Sequence, residues 1–336
     1  MIEGHGDDIY QYESITSDFS SNICQNPSAY RAVTDHLSQH PQLLAHYPEP
    51  EAWSLEQMIA ERDGVKSDNV IVTNGATEAI YLIAQTFRYQ HYIPQPTFSE
   101  YADACRMFTP NDKIKNSIWL CNPNNPTGSL LPAWKLDDAL FYFRLVIVDQ
   151  SYEHYTHQPL LTATEAIKKK RIILLRSMTK DYGVPGLRLG YIVAHKSLAK
   201  QIRQHMRPWS VSALAVEAGK YLLQHDELIC RPDLEEAQRL RERLCAIEGI
   251  EVEPTQTNFM LCRLTQGSAA ELKEYLAKEH HILIRDASNF KGLTPQHFRI
   301  AAQTPAENDA LVEAVRSFTS HLPLNHLPFN HLPFTI

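Results

Sequence analysis

Glycine is scarce in this chain. Only 12 of its 336 residues are Gly, about half of ordinary usage. Each one therefore marks a place where the backbone has a reason to do without a side chain. Positive charge is not in excess either. The 32 Lys and Arg stand against 39 Asp and Glu, a net charge of −7, which argues against a nucleic-acid partner. No apolar run reaches the length of a membrane span, so no membrane partner is expected. Cys24, Cys105, Cys121, Cys230, Cys245 and Cys262 form no Cys-x-x-Cys pair. They read as reduced, mostly buried thiols of a cytoplasmic protein. Residues 1–5 do not read as a secretory leader.

The composition that remains is that of a soluble globular protein, 43% hydrophobic and 21% charged. A chain of this length is expected to split into a larger and a smaller domain. Strand-like and helix-like segments alternate over residues 69–194, which predicts an α/β unit with a mostly parallel sheet and helices on both faces. Beyond it the pattern predicts a helix over 211–224 and a charged helix over 233–247, Glu-rich early and Arg-rich late as the helix dipole favours. Strands follow at 250–252 and 259–262, then a helix ending near 278, a strand near 282–284 and a last helix over 305–318. This reads as a small α+β domain. The division predicted is an N-terminal arm (1–45), a large domain (46–205), a small domain (206–320) and a tail (321–336). The tail repeats His-Leu-Pro every five residues from His321, a spacing that forbids a helix. Its histidines have no Cys or carboxylate partner nearby and are not expected to bind metal.

The chemistry is concentrated in four strand-to-loop junctions. Ser177-Met178-Thr179-Lys180 follows an apolar run at 172–175 and precedes Gly183, Gly186, Arg188 and Gly190. A lysine held between a hydroxyl and an arginine suits a Schiff base with an aldehyde that also carries a phosphate. Asn122-Pro123-Asn124-Asn125-Pro126-Thr127-Gly128 and Asp149-Gln150-Ser151-Tyr152 each follow a buried-strand pattern, and ligands of open α/β sheets bind at the carboxyl ends of strands. Thr73-Asn74-Gly75-Ala76-Thr77 joins a strand to a helix whose free N–H groups suit an anion. Five of the glycines, Gly75, Gly128, Gly183, Gly186 and Gly190, fall in these junctions, where tight turns or close approach are expected.

Together these residues resemble fold-type I pyridoxal phosphate (PLP) enzymes of the class I/II aminotransferase superfamily, over about residues 19–317. The resemblance implies a homodimer with active sites at the subunit interface and assigns roles. Lys180 is the Schiff-base lysine, and Asp149 faces the pyridine nitrogen. Asn125 and Tyr152 hold the ring's 3-hydroxyl oxygen. Gly75, Ala76, Thr77, Ser177 and Arg188 match the phosphate cup. Tyr101 matches the aromatic that stacks on the ring, and Tyr47 a tyrosine that reaches the cofactor phosphate from the other subunit. Arg299 matches the clamp on the substrate α-carboxylate, a task suited to a bidentate guanidinium. His154 and His157 are expected to line the site at most. The segment between Tyr101 and Asn122 is shorter than in relatives, which predicts a trimmed large domain.

The opening His5-Gly6-Asp7-Asp8, with Phe19-Ser20-Ser21-Asn22, and the later Arg285-Asp286-Ala287-Ser288-Asn289-Phe290 resemble L-threonine-O-3-phosphate decarboxylases. Histidinol-phosphate aminotransferases share the cofactor motifs but generally lack both signatures. The first resemblance implies decarboxylation of L-threonine O-3-phosphate to 1-amino-2-propanol phosphate, in cobalamin biosynthesis. The second implies amino transfer. Both imply a phosphorylated substrate, for which Arg285 and His5 are the candidate cations, with Ser21 and Asn22 beside them.

Overall fold

The structure, a computed structural model, describes residues 8–108, 110 and 114–321. His5 and the tail repeat beyond His321 lie outside the described residues. In chain order the main elements are β1 (Ser17–Asp18), α1 (Pro27–Ser38), α2 (Trp53–Arg62), β2 (Val70–Asn74), α3 (Gly75–Thr86), β3 (Gln90–Tyr92), α4 (Glu100–Met107) and β4 (Asn116–Cys121). Then come α5 (Ala133–Tyr142), β5 (Leu145–Asp149), α6 (Ala163–Lys168), β6 (Ile172–Arg176), α7 (Met178–Asp181), β7 (Leu189–Ala194) and α8 (Lys196–Arg203). The last third holds α9 (Ala213–Leu223), α10 (Leu234–Cys245), β8 (Ile250–Val252), β9 (Phe259–Leu264), α11 (Ala269–His280), β10 (Ile282–Leu283), β11 (Arg285–Asp286), β12 (His297–Ala301) and α12 (Pro305–His321).

Six strands form the large sheet in the order β2-β7-β6-β5-β4-β3. Strands β3, β4, β5 and β6 run parallel, and only β7 is antiparallel to its neighbours. The inner strands β5, β6 and β7 are almost wholly apolar and buried because both faces are covered. Side chains of the sheet sort with period two. Val70, Val146, Val148, Leu174 and Val193 enter one core, while Ile71, Ile147, Ile173, Leu175 and Ile192 enter the other. Helices α3, α4 and α8 cover the second face. Because β7 alone is reversed, the carboxyl ends of β2, β4, β5 and β6 lie at one edge, and β7 begins there.

The small unit is the antiparallel sheet β11-β12-β9-β8, packed on α10, α11 and α12 through Leu240, Leu272, Phe298, Leu311 and Val315. The N-terminal arm is stitched to it. Strand β1 pairs with β10, and Phe19 is fully buried in the small core.

Two segments fall on the other side of the predicted division. Helix α1 buries Ala29 and Val33 in the large core, and α9 buries Ala215, Val216, Ala218 and Leu222 there. Gly219 permits the close crossing, since a Cβ at that position would stand 2.8 Å from Leu55 Cδ2 and 3.0 Å from Leu189 Cδ1. The cysteines also differ from expectation. All six are free, but only Cys230 and Cys262 are fully buried, and Cys245 is exposed.

Candidate active site

The shared carboxyl edge of the strands opens into a cavity of about 370 Å³. Its wall includes Ala76 and Thr77 after β2, Asn125 after β4, Asp149, Ser151 and Tyr152 at the end of β5, Ser177 and Lys180 after β6, and Arg188 before β7. Arg299 on β12, Tyr101 on α4, and Ser21 and Asn22 from the arm complete it. Most of the residues picked out along the sequence therefore meet in one place.

Asp149 is 4% exposed. Its Oδ1 accepts from the Ser151 amide at 2.8 Å and the Ser151 hydroxyl at 2.6 Å, and its Oδ2 accepts from the Tyr101 hydroxyl at 2.7 Å. Burial holds its carboxyl above the usual range despite these donors. Tyr101 packs its ring on Trp119, with centroids 5.4 Å apart. Thus its ring lines the cavity while its hydroxyl rests on the carboxylate. Ser151 is a residue that sequence reasoning left without a role. The signal was available, since an Asp followed two residues later by a donor is a local turn pattern.

Lys180 Nζ lies 5.7 Å from the centre of the Tyr152 ring. Tyr152 is buried, and its hydroxyl accepts from Asn22 Nδ2 at 3.3 Å. Burial pushes that phenol up to about 12. The Asn22 Oδ1 atom is buried with no hydrogen-bond partner among the described residues.

The residues expected to form a phosphate cup owe their placement to glycine. Arg188 has φ +54° and Gly75 has φ +77°. A Cβ on Gly75 would stand 2.6 Å from Arg188 Nη2, so Gly75 leaves the room into which that guanidinium fits. Gly75 is not itself in the cavity wall. A Cβ on Gly190 would stand 2.5 Å from the Ala76 amide nitrogen, which fixes how closely β7 approaches the start of α3. Gly186 departs from expectation. Nothing lies within 4 Å of the place its Cβ would take, and its φ is not positive.

Arg299 is 5% exposed. Its Nη1 donates to Asn125 Oδ1 at 2.6 Å and its Nη2 to the Ser20 carbonyl, while Nε has no partner among the described residues. Burial pulls its pKa down to about 10, and Arg285 adds to the fall. Arg285 sits directly opposite Arg299 in the β11–β12 register. It is buried, donates to Asn289 Oδ1 at 2.8 Å and covers the Phe290 ring, and it is outside the cavity wall.

Tyr47, His154 and His157 are also outside the cavity wall of this chain. Tyr47 is 85% exposed and lies against Trp209, 5.5 Å between ring centres. His157 is exposed. His154 lines a separate cavity with Glu153, Asp63 and Arg176. The chain after Tyr152 packs on the lysine helix, where the Tyr155 hydroxyl donates to the Lys180 carbonyl at 3.2 Å and His154 Nε2 lies 3.9 Å from Asp181 Oδ1.

The residues of the main cavity fit PLP. An acid sits deep in the wall. A lysine, a serine hydroxyl, a guanidinium and the free amides at the start of α3 face the same space, and Gly75 keeps a cradle open that any Cβ would fill. The chain matches the class I and II aminotransferase family over residues 15–110 and 108–315. It belongs to that family, whose members use pyridoxal 5′-phosphate, and it has their fold-type I architecture. It is 30% identical to a threonine-phosphate decarboxylase of Salmonella typhimurium, covering 89% of this chain and 90% of that one. The L-threonine-O-3-phosphate decarboxylase structure from Porphyromonas gingivalis superimposes with a TM-score of 0.84 at 37% identity, covering 90% and 99% of the two chains. The histidinol-phosphate aminotransferase structure from Clostridium acetobutylicum gives 0.78 at 26% identity, covering 91% and 100%. Among the described residues no helix is long and apolar enough to cross a membrane.

Proposed function

We propose that this chain is a PLP-dependent lyase that decarboxylates L-threonine O-3-phosphate, releasing CO2 and 1-amino-2-propanol phosphate. The observation that carries the reading is the pair of buried arginines facing each other across β11 and β12. Like charges directly opposite in a sheet are unfavourable; Asp286 and Asp8 offset part of that cost at Arg285, and a substrate with two anionic groups would answer the rest. A phosphorylated amino acid has a carboxylate for Arg299 and a phosphate for Arg285. The similarity to threonine-phosphate decarboxylases of two organisms supports the same substrate.

Bound PLP supplies a protonated ring that accepts the electron pair of the bond broken at Cα. The residues of this chain do the rest. Ser177, Arg188 and the amides of Ala76 and Thr77 hold the cofactor phosphate. Asp149 keeps the ring nitrogen protonated, and the Ser151 hydroxyl and amide hold that carboxylate in place. Tyr152 accepts from Asn22, which leaves its own O–H free to donate to the ring oxygen together with Asn125. Lys180 Nζ would hold the cofactor and, as a general acid, would supply the proton at Cα. Arg299 would bind the substrate carboxylate and orient the bond that is to break. A misplacement of about 1 Å would be enough to favour another bond.

The working unit in this reading is a cytoplasmic homodimer, with Tyr47 reaching the partner's cofactor phosphate. Its exposure, together with that of Leu44 at 75% and Trp53 at 53%, supports a covered surface there. The test is CO2 release from PLP-loaded protein given O-phospho-L-threonine, with 2-oxoglutarate in a parallel sample. CO2 without glutamate formation is expected. Glutamate formation from histidinol phosphate, without CO2 from phosphothreonine, would replace the proposal with amino transfer. Lys180→Ala should abolish the visible absorbance of the bound cofactor in either case.

A further inference from the structure

Two clusters among the described residues bring three metal-ligating side chains within reach of one another. The first, Glu153 with His154 and Asp181, has its charge answered by protein, since Arg176 Nη2 sits 2.9 Å from Glu153 Oε2. The second has no buried arginine against it. His36 on α1, His40 just after that helix and Glu217 on α9 place their ligand atoms within 4.8 Å of one another. We propose that this second cluster binds a zinc-class divalent cation, far from the PLP cavity, and that the ion staples α1 to α9.

The geometry is close to what such an ion needs. Tetrahedral zinc with bonds of about 2.0–2.1 Å sets its ligand atoms about 3.4 Å apart. His36 Nε2 and Glu217 Oε1 are already 3.0 Å apart, each side chain 21% exposed. The His36 and His40 rings lie 4.5 Å apart between centres. His40 Nδ1 donates to the His36 carbonyl at 2.8 Å. That bond fixes its tautomer and leaves the lone pair on Nε2, the arrangement in which ligating histidines are usually held. The His36 ring is stacked on Tyr221, 4.4 Å between centres. Glu217 Oε2 is held by Lys220 Nζ at 2.9 Å, which leaves Oε1 for the metal. The side chains are half-buried, so an ion can reach them and water can supply a fourth ligand.

The staple would act on two elements that both enter the large core. Helix α1 follows directly from Ser21, Asn22 and Ile23, which line the active-site cavity. Fixing its far end to α9 restrains that wall without touching the reacting groups.

The experiment is a zinc titration of the full chain by calorimetry, with visible spectra of the cobalt(II) form and thermal melts in zinc and in EDTA. One ion per chain is expected, with tetrahedral cobalt bands and a melting point raised by a few degrees at about a hundred-fold excess over Kd. His40→Ala and Glu217→Gln should each weaken binding by about 100-fold, because loss of an outer partner alone costs 10–100-fold. Lys220→Met removes the group that holds Glu217 Oε2 and should weaken binding by about 10-fold. A variant with His321, His326 and His331 all changed to Asn should bind as the wild type does. Absence of saturable zinc binding would overturn the proposal. So would binding that survives both cluster variants and disappears with the tail variant.

Discussion

Replacing Gly190 by Ala should loosen the cofactor more than the fold. Gly190 pairs with Thr73 in the β2–β7 ladder, and its φ is not positive, so alanine meets no backbone strain. It meets space. The new Cβ would stand 2.5 Å from the Ala76 nitrogen and 2.7 Å from the Gly75 carbonyl carbon. Both are backbone atoms that no rotamer change can move. Restoring an ordinary contact of 3.4 Å requires a shift of about 0.9 Å at the start of α3. Overpacking of this kind costs about 1–3 kcal/mol of stability. The same shift takes the Ala76 and Thr77 amides off the cofactor phosphate. One hydrogen bond to a charged group is worth about 1.5–3 kcal/mol, so Kd for PLP should rise roughly ten- to hundred-fold. Absorbance titration of the apoprotein with PLP measures this, and urea unfolding measures stability separately. Gly186→Ala is the internal control, since nothing lies near its Cβ position, and it should change neither quantity. A folded Gly190→Ala protein that binds PLP within two-fold of wild type would refute the reasoning.

Tyr101→Phe removes the hydroxyl that rests on Asp149 Oδ2. The apoprotein should lose about 1 kcal/mol in urea unfolding, while PLP affinity holds or improves because the ring nitrogen no longer competes for that oxygen. Weaker PLP binding would show instead that the hydroxyl orients the acid. Asp181→Asn tests the buried carboxylate behind the lysine. Burial first, and Glu153 next, raise its pKa well above the ordinary value, and neither oxygen has a hydrogen-bond partner among the described residues. A raised acid pKa favours the protonated folded form, so wild type loses stability as pH climbs from about 4 toward that raised value. The stability difference between variant and wild type should therefore move in the variant's favour from pH 5 to pH 8, read as urea midpoints. An identical difference at both pH values would contradict it.

The strand-to-loop junctions that line the cavity were legible because each is local. An all-apolar strand followed by Asp149, Asn125 or Lys180 carries its position and its chemistry within a few residues, and a parallel sheet brings such strand ends to one edge. What escaped was long-range. Helix α9 has the same apolar stripe whichever core receives it, and its packing through Ala215, Val216, Ala218 and Leu222, with Gly219 close against Leu55 and Leu189, assigns it to the large domain. The Arg285–Arg299 register depends on pairing two short strands across a loop, which no periodicity specifies. Gly186 and Gly190 looked alike in sequence, but only Gly190 has a backbone neighbour at its Cβ position.

The proposed carboxylate clamp is assembled from three distant pieces of chain. Arg299 on β12 is held by Asn125 from the loop after β4 and by the Ser20 carbonyl of the arm. Its surroundings contain no carboxylate within ion-pairing distance among the described residues, and burial pulls its pKa down to about 10, with Arg285 adding to the fall. At neutral pH it remains charged, as a buried cation awaiting an anion. Linkage then fixes a pH signature. A bound carboxylate favours the guanidinium form, so affinity should be flat up to about pH 10 and fall toward ten-fold per unit above it. An ordinary exposed arginine would stay flat well beyond pH 11. The probe is a phosphorylated hydroxy acid, which has the carboxylate and phosphate of the substrate but no amine to titrate in the same range. Its Kd against pH, for wild type and Arg299→Lys, is the measurement. Affinity that stays flat to about pH 11 together with a Kd unchanged in Arg299→Lys would mean that Arg299 is not the group that receives the carboxylate, and the case for decarboxylation through this clamp would fall with it.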